Sequence, residues 1–246
     1  MNYADIKEVD IQDGEGVRVS LYVSGCHFHC KGCHNKEAWD FNYGKKFTEE
    51  TIDRIIDLLD QDYITGLSLL GGEPLEPVNQ QGLVELTNRV KEKFPNKTIW
   101  CWTGYDFERD VFGKMYKENQ YTRDLLKNID IIVDGEFQEE NSLVNLKFRG
   151  STNQKKIDVQ ASINADSVVR LKFGDEARYE KKSPKIIPIE EYRKDSNKEY
   201  EEGVSYGNIA NFVSLESEEI PAIEIKKVYA TVAAESNKQE IEEKLD

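Results

Sequence analysis

The stretch VSGCHFHCKGCH, residues 23–34, decides how the rest of the sequence is interpreted. It holds three of the four cysteines of the chain, in the spacing Cys-x3-Cys-x2-Cys. Three thiolates on one short loop can bind three corners of a cubane iron–sulfur cluster, and the missing fourth cysteine leaves one iron open for a small chelating molecule. Clustered cysteines without an export signal favour metal or redox chemistry over a disulfide framework.

The metal ligands predicted from this spacing are Cys26, Cys30 and Cys33. The main alternative is a structural zinc site, because all three histidines of the chain lie in or beside the loop. Zinc ligands usually come in two separated pairs, and these cysteines are not so arranged. We interpret His27 and His29 as loop residues. The fourth cysteine, Cys101, is expected to be a buried strand residue.

Strand and helix patterns alternate through the first half of the chain, which predicts a mostly parallel sheet with right-handed crossovers. Each predicted strand ends in a turn that contains glycine, and parallel α/β folds place their active sites at that edge. The predicted strands are Val17 to Val23, Leu67 to Leu70, Thr98 to Trp102 and Ile129 to Val133; the predicted helices are Thr48 to Leu59, Leu83 to Phe94 with Asn79 as a candidate cap, and an interrupted one from Phe107 to Leu126.

The alternation ends near residue 160, which predicts two parts: a domain over residues 1–160 and a C-terminal extension of unknown fold over 161–246. We expect the extension to be a small β-containing domain, with two strands around Pro221 between Phe212 and Val232. The polar stretch from Glu235 to Asp246 is expected to end the chain as a solvated helix or a disordered tail.

The bulk properties of the 246 residues exclude several classes of protein. The net charge of −14 and the lack of a basic run argue against nucleic-acid binding. The longest apolar runs are too short to cross a bilayer, so no membrane partner is expected. The N-terminus lacks the basic and apolar regions of a secretory signal, and we therefore expect a cytoplasmic protein.

Two motifs together resemble the radical S-adenosylmethionine superfamily: the cysteine spacing after the first strand, and Gly71-Gly72-Glu73-Pro74 after the second. The resemblance implies a partial parallel (β/α) barrel and a [4Fe–4S] cluster held by the three cysteines. It also implies that the amino and carboxylate groups of S-adenosylmethionine chelate the open iron. The stretch from Gly71 to Pro74 would contact the methionine amino group, where Glu73 can orient an ammonium and glycines allow a close approach. Gly32 and His34, on either side of Cys33, would touch the adenosyl part.

Further stretches resemble the activating enzymes of the anaerobic, class III ribonucleoside-triphosphate reductases, a branch of that superfamily. The resemblance implies an oxidoreductase whose 5′-deoxyadenosyl radical takes a hydrogen atom from a glycine Cα of the reductase. The reductase would then be the protein substrate, and a flavodoxin-like protein the electron donor. The stretches are Val23 to Cys26, Cys33 to Lys36, Trp102 to Tyr105, Val133 to Phe137 and Phe148 to Gln154.

The sequence departs from the superfamily pattern at two positions. Gly32 stands where many radical enzymes have an aromatic residue, which favours the reductase-activating branch, and Glu15 replaces the proline of a DGPG-x-R stretch. Two other functions stay open: a radical enzyme acting on a small molecule, and a zinc-stabilised protein-interaction module. The role of Asp134, cation ligand or turn residue, and that of Arg149, paired with S-adenosylmethionine or a core acid, are also open.

Overall fold

The computed structural model describes residues 1–174, 185–187 and 204–206, and within them the main feature is a mixed sheet of eight strands. In spatial order the strands are β3-β1-β2-β4-β5-β6-β7-β8. Their bounds are β1 Asn2–Asp10, β2 Val17–Val23, β3 Lys45–Lys46, β4 Ile64–Gly71, β5 Thr98–Thr103, β6 Ile131–Asp134, β7 Lys155–Asp158 and β8 Val169–Leu171.

The centre of the sheet is parallel and its sides are antiparallel. Strands β2, β4, β5 and β6 pair in parallel, which confirms the sheet predicted from the alternation. Strands β1 and β3 on one side, and β7 and β8 on the other, pair antiparallel. The short β1–β2 connection forms a hairpin, because a parallel crossover needs a dozen or more residues. The sheet is open, with β3 and β8 as its edges, and a barrel of the radical S-adenosylmethionine type stays a prediction.

Helices cover one face of the sheet and bury the main apolar core against it. The first, α1 (Glu49–Leu59), buries Ile52, Ile55, Ile56 and Leu59, as its helical spacing predicts. Thr48 caps it through reciprocal side-chain contacts with Thr51. The other helices are α2 Pro77–Lys93, α3 Tyr116–Glu118, α4 Gln120–Asn128 and α5 Val159–Ala165, with a π-helical segment Phe107–Met115 before α3.

Two features of these helices bear on the sequence predictions. The interruption expected after Phe107 is real, because the chain passes through the π-helical segment and α3 before α4 begins. The start predicted for α2 was wrong, because the helix begins at Pro77 and Asn79 lies inside it. Proline suits the first helical position, where its missing N–H has no intrahelical partner.

The opposite face of the sheet, here called the second face, carries polar and aromatic side chains. Arg18 is fully buried there, and its guanidinium donates to Ser68 Oγ at 2.7 Å and to the carbonyl oxygen of Thr98 at 2.8 Å. The same guanidinium lies 5.5 Å from the ring centre of Trp100. These contacts satisfy a buried cation and hold the strands together at this face.

The chain divides into two compact units, Met1–Tyr179 and Glu180–Asp246. The first contains the whole eight-stranded sheet, which continues past residue 160 through β8. In the second, two short strands, β9 (Lys185–Ile187) and β10 (Val204–Tyr206), pair in parallel. The strands predicted between Phe212 and Val232, and the polar tail, lie outside the described residues. In the described ranges, no helix combines the length and the apolar character needed to cross a membrane.

Candidate metal centre

The cysteine loop begins where β2 ends and is closed by a short 3-10 helix, Lys36–Trp39. The backbone N–H of Gly25 donates to the carbonyl of Ala38 at 2.8 Å, and that of Cys26 donates to Trp39 at 3.2 Å. These bonds fix both ends of the loop at the carboxyl end of β2. The three cysteines therefore lie at the edge of the sheet that the sequence predicts for the active site.

The three clustered thiols are free and differ in exposure. Cys26 is buried, whereas Cys30 and Cys33 are partly exposed. Burial raises the pKa of the Cys26 thiol to about 12. It also raises the pKa of Cys30, with a smaller contribution from the charge of Glu136. Metal binding to this loop must therefore release protons, because the ligand is the thiolate.

The donor chemistry of the loop fits an iron–sulfur cluster. Three free thiols stand on one loop at a strand end, and soft thiolate ligands select such clusters. The turn from Cys30 to Cys33 is closed by a backbone bond of 3.2 Å, which keeps these two residues close in space. Among the residues that the structure describes, no three His, Cys, Asp or Glu side chains form a ready-made site for a single metal ion.

The loop after β4, Gly71 to Pro74, is joined directly to the cysteine loop. The N–H of Gly72 donates to the carbonyl of Val23 at 2.7 Å, and that of Glu73 donates to Gly25 at 2.8 Å. A Cβ at position 72 would lie 2.6 Å from the Gly25 oxygen, so only glycine allows this approach. The structure thus brings the two predicted motifs together.

The Glu73 carboxylate connects this loop to the end of β5. It is 1% exposed; Oε1 accepts from Leu75 N at 2.8 Å and Thr103 Oγ1 at 2.9 Å, and Oε2 accepts from Gly104 N at 2.8 Å. Burial raises its pKa to about 7, and these hydrogen bonds oppose the rise. The carboxylate therefore holds two loops together, and its predicted contact with an ammonium group stays a prediction.

Asn79 is a site residue that the sequence reasoning missed. It is fully buried, and its Nδ2 donates to the carbonyl of Ser24 at 3.0 Å and to that of Glu73 at 2.9 Å. One side chain thus ties the cysteine loop to the loop after β4. The sequence signal was an amide residue near a helix start, which is equally typical of a cap.

The aromatic side chains of the cysteine loop pack against its surroundings. Phe28 meets Tyr105 edge-on at 4.8 Å between ring centres, and a Cβ at Gly104 would lie 2.7 Å from its ring. His29 stacks on Trp39 at 4.6 Å, and His27 Nδ1 lies 2.9 Å from Glu76 Oε1. The two histidines thus have partners within the loop region.

The remaining predicted residues are placed as follows. A Cβ at Gly32 would lie 2.9 Å from a carboxylate oxygen of Glu139, and His34 lies 6.1 Å from the ring of Phe137. Asp134 is fully buried and accepts a hydrogen bond of 2.7 Å from the N–H of Phe107. Arg149 lies on the second face, where its guanidinium is 4.0 Å from the ring centre of Phe173. Cys101 is completely buried, as predicted.

Comparison with known proteins identifies relatives of this chain by sequence. A family model described as "4Fe-4S single cluster domain" matches residues 12–157. Over 156 residues the chain is 40% identical to the anaerobic ribonucleoside-triphosphate reductase-activating protein of Vibrio cholerae, covering 63% of this chain and 96% of the relative. The protein of the same name from Enterobacteria phage T4 is 40% identical over 155 residues, 63% of this chain and 92% of the relative. That from Escherichia coli is 39% identical over 156 residues, 63% of this chain and 96% of the relative.

Proposed function

The chain belongs to the family of anaerobic ribonucleoside-triphosphate reductase-activating proteins, and on this premise we propose that it is a radical S-adenosylmethionine activase. It carries a [4Fe–4S] cluster, cleaves S-adenosylmethionine reductively and generates a glycyl radical on the anaerobic reductase. The observation that carries this proposal is the pair of backbone hydrogen bonds that joins the cysteine loop to the loop after β4.

In this proposal Cys26, Cys30 and Cys33 hold three irons, and the fourth iron is left for S-adenosylmethionine. When bound, the cluster and S-adenosylmethionine would supply the hard chemistry, which is one-electron cleavage of the sulfonium and removal of one hydrogen atom from the glycine Cα. The task of the protein is to position the cofactors, to exclude water and to admit the glycine.

The loop from Gly71 to Pro74 binds the methionine end of the ligand. Its glycines let backbone carbonyls approach an ammonium group closely. Asn79 fixes the Glu73 carbonyl relative to Ser24 of the cysteine loop, and the Glu73 carboxylate fixes the loop to Gly104 at the end of β5. Gly32 and His34, beside the last cysteine, contact the adenosyl part. Phe28 and Tyr105 shield the region from water, because their rings pack together at the same strand ends.

The protein substrate and the electron donor complete the proposal. The chain acts on the anaerobic ribonucleoside-triphosphate reductase, as the names of its relatives state for them. A flavodoxin-like protein supplies the electron from solution. The cysteine loop offers an exposed approach for such a donor, since the side chain of Lys31, next to Cys30, is 89% exposed.

The test is to count 5′-deoxyadenosine made by the anaerobically reconstituted protein with dithionite, with and without a class III reductase. An activase makes about one equivalent per reductase site and then stops, because the product radical is stored. Continued turnover without the reductase would support the small-molecule enzyme instead. A colourless protein that purifies with zinc and makes no product would support the interaction module.

A further inference from the structure

The described part of the chain contains a segment that lies beyond the matched family region and completes the second face. The family model ends at residue 157, whereas β8 pairs antiparallel with β7 and is followed by Phe173. Phe173 is 6% exposed and packs in a cluster with Trp100 and Val133. The extension therefore supplies part of the packing of this face.

Phe173 contacts a loop that is held in a strained conformation. In the segment 145–150, Asn145 has φ of 76° and Phe148 has φ of 56°, which residues other than glycine rarely adopt. Such backbones persist only where their surroundings fix them, and they concentrate at functional sites. Here Trp102 Nε1 donates to the carbonyl of Phe148 at 2.8 Å, and the Arg149 guanidinium lies over the Phe173 ring at 4.0 Å.

The strained loop forms one wall of a cavity of about 490 Å³. Residues Ile11 to Asp13 and Trp102 also line the cavity. Trp102, near the end of β5, precedes Gly104 by two residues, and a Cβ at Gly104 would lie 2.7 Å from the ring of Phe28 in the cysteine loop. Trp102 therefore connects the cavity to the end of β5, where the cysteine loop packs.

The surroundings of the cavity suit a polypeptide. Ile11, which lines it, is 69% exposed, and Val144, in the chain leading to the strained loop, is 81% exposed. Leu143 is also exposed. Exposed apolar side chains in and beside a cleft are typical of surfaces that a protein partner covers, and Leu143 and Val144 directly precede the loop that lines this one. A free small molecule would leave those side chains in water.

We propose that Phe173 is a positioning residue: it holds the loop 145–150 as the wall of this cavity, and the cavity receives the glycine-bearing segment of the reductase. The inference rests on the proposed function and deepens it. It predicts that the extension, which lies beyond the family match, tunes the affinity for the protein substrate.

The test uses the full chain with its cluster and measures glycyl radical yield by electron paramagnetic resonance as the reductase concentration is varied. Phe173→Ala is expected to raise the half-saturating reductase concentration about tenfold, with the maximal yield little changed, because the wall is loosened but the cluster is not touched. Phe173→Tyr keeps an aromatic ring under Arg149 and should behave as wild type. Leu171→Ala, at the exposed last residue of β8 and two positions before Phe173, is the matched control and should also leave the half-saturation unchanged.

Equal half-saturation in wild type and Phe173→Ala, or an equal rise in Leu171→Ala, would overturn the proposal. If Phe173→Ala does not fold, Phe173→Leu, which keeps apolar volume and removes the ring, takes its place. Hydrogen exchange tests the positioning role of Phe173 independently of the proposed activase function. Backbone amides in 143–150 should exchange faster in the variant than in wild type even if no glycyl radical forms, and identical exchange would refute the positioning role.

Discussion

The three clustered thiols share one loop, but only Cys26 is buried, so substitution at Cys30 should disturb the fold less than substitution at Cys26. Cys30→Ala is expected to lower bound iron from about four per chain to a small fraction of that, because two thiolates cannot hold the cubane. Iron and sulfide analysis after anaerobic reconstitution measures this. Cys101→Ala is the control. Cys101 is fully buried in β5, outside the cysteine loop, so this variant should bind as much iron as the wild type. Full iron content in Cys30→Ala would contradict the assignment.

The buried carboxyl of Glu73 gives a second prediction at the residue scale. Its pKa is raised from 4.5 to about 7 in the folded protein, chiefly by burial. The folded state therefore binds this proton more tightly than the unfolded state. The contribution of Glu73 to stability is fully present below pH 4.5 and is lost as the pH rises through 7. Glu73→Gln removes the titratable carboxyl and should therefore flatten the dependence of stability on pH between pH 4.5 and 7.

Thermal unfolding of the reduced, metal-free protein between pH 4.5 and 8 measures the effect without interference from cluster loss. The wild-type melting temperature should fall with pH relative to Glu73→Gln across this range, by a few degrees, since about one kcal/mol shifts it by a few degrees. Glu37→Gln, at an exposed position, is the control and should follow wild type. Parallel curves for wild type and Glu73→Gln would mean that the carboxyl is not perturbed.

At the scale of elements, the close approach of two loops is the feature most sensitive to mutation. A Cβ at Gly72 would lie 2.6 Å from the Gly25 oxygen and 2.8 Å from that of Ala38, and backbone cannot move aside cheaply. Gly72→Ala should therefore separate the loops and reduce both cluster content and S-adenosylmethionine binding, the latter by about tenfold or more.

Gly82→Ala is the matched control for this substitution. At this position in α2 the new Cβ would meet the Met1 sulfur at 2.7 Å, which is the end of a flexible side chain. Cluster content should be unchanged, and the melting temperature unchanged or slightly higher, because alanine favours a helix interior by up to about 1 kcal/mol. Equal binding by the two variants, measured by equilibrium dialysis, would show that the loop contact is unimportant.

The elements that could be predicted from sequence are those with a regular apolar pattern. The periodicity of Ile52, Ile55 and Leu59 identifies α1, and short apolar runs identify β2, β4, β5 and β6. Strand β1 was not predicted. Its register shifts twice against β2, and these shifts break the alternation of buried side chains on which the prediction of a strand depends. The shifts lie between Tyr3 and Asp5 and between Lys7 and Asp10.

The candidate site was predictable to a similar degree. The spacing of the three cysteines predicted the metal ligands, and the resemblance to the radical S-adenosylmethionine superfamily added the loop from Gly71 to Pro74. The bonds of Asn79 to the carbonyls of Ser24 and Glu73 could not be predicted, because the contact with Ser24 spans 55 positions of the chain. Side chains that act on distant backbone leave no local pattern in the sequence.

At the scale of the whole molecule, the chain is longer than the relatives that it matches. The alignments cover 92–96% of three relatives but only 63% of this chain. The first compact unit ends at Tyr179 and contains the entire eight-stranded sheet. A chain ending at Tyr179 should therefore bind the cluster and unfold in one cooperative transition, because it keeps the core and Phe173.

Calorimetry and iron analysis of this shortened chain check that expectation. A companion chain ending at Ala165, where α5 ends, lacks β8 and Phe173 and is the comparison. It should retain the cluster but melt several degrees lower, since it loses the buried contacts of Phe173 with Trp100 and Val133. Aggregation of the Tyr179 chain with loss of iron would show that the second unit is needed for folding.

The most direct test of the central claim follows one hydrogen atom from protein to cofactor. A class III reductase labelled with deuterium on its glycine Cα atoms is incubated with the reduced holoenzyme and S-adenosylmethionine. The account predicts that 5′-deoxyadenosine gains one deuterium and that the glycyl resonance loses the splitting from its remaining α-hydrogen. Unlabelled 5′-deoxyadenosine, formed without any glycyl signal, would show that the chain does not abstract hydrogen from the reductase and would contradict the activase function.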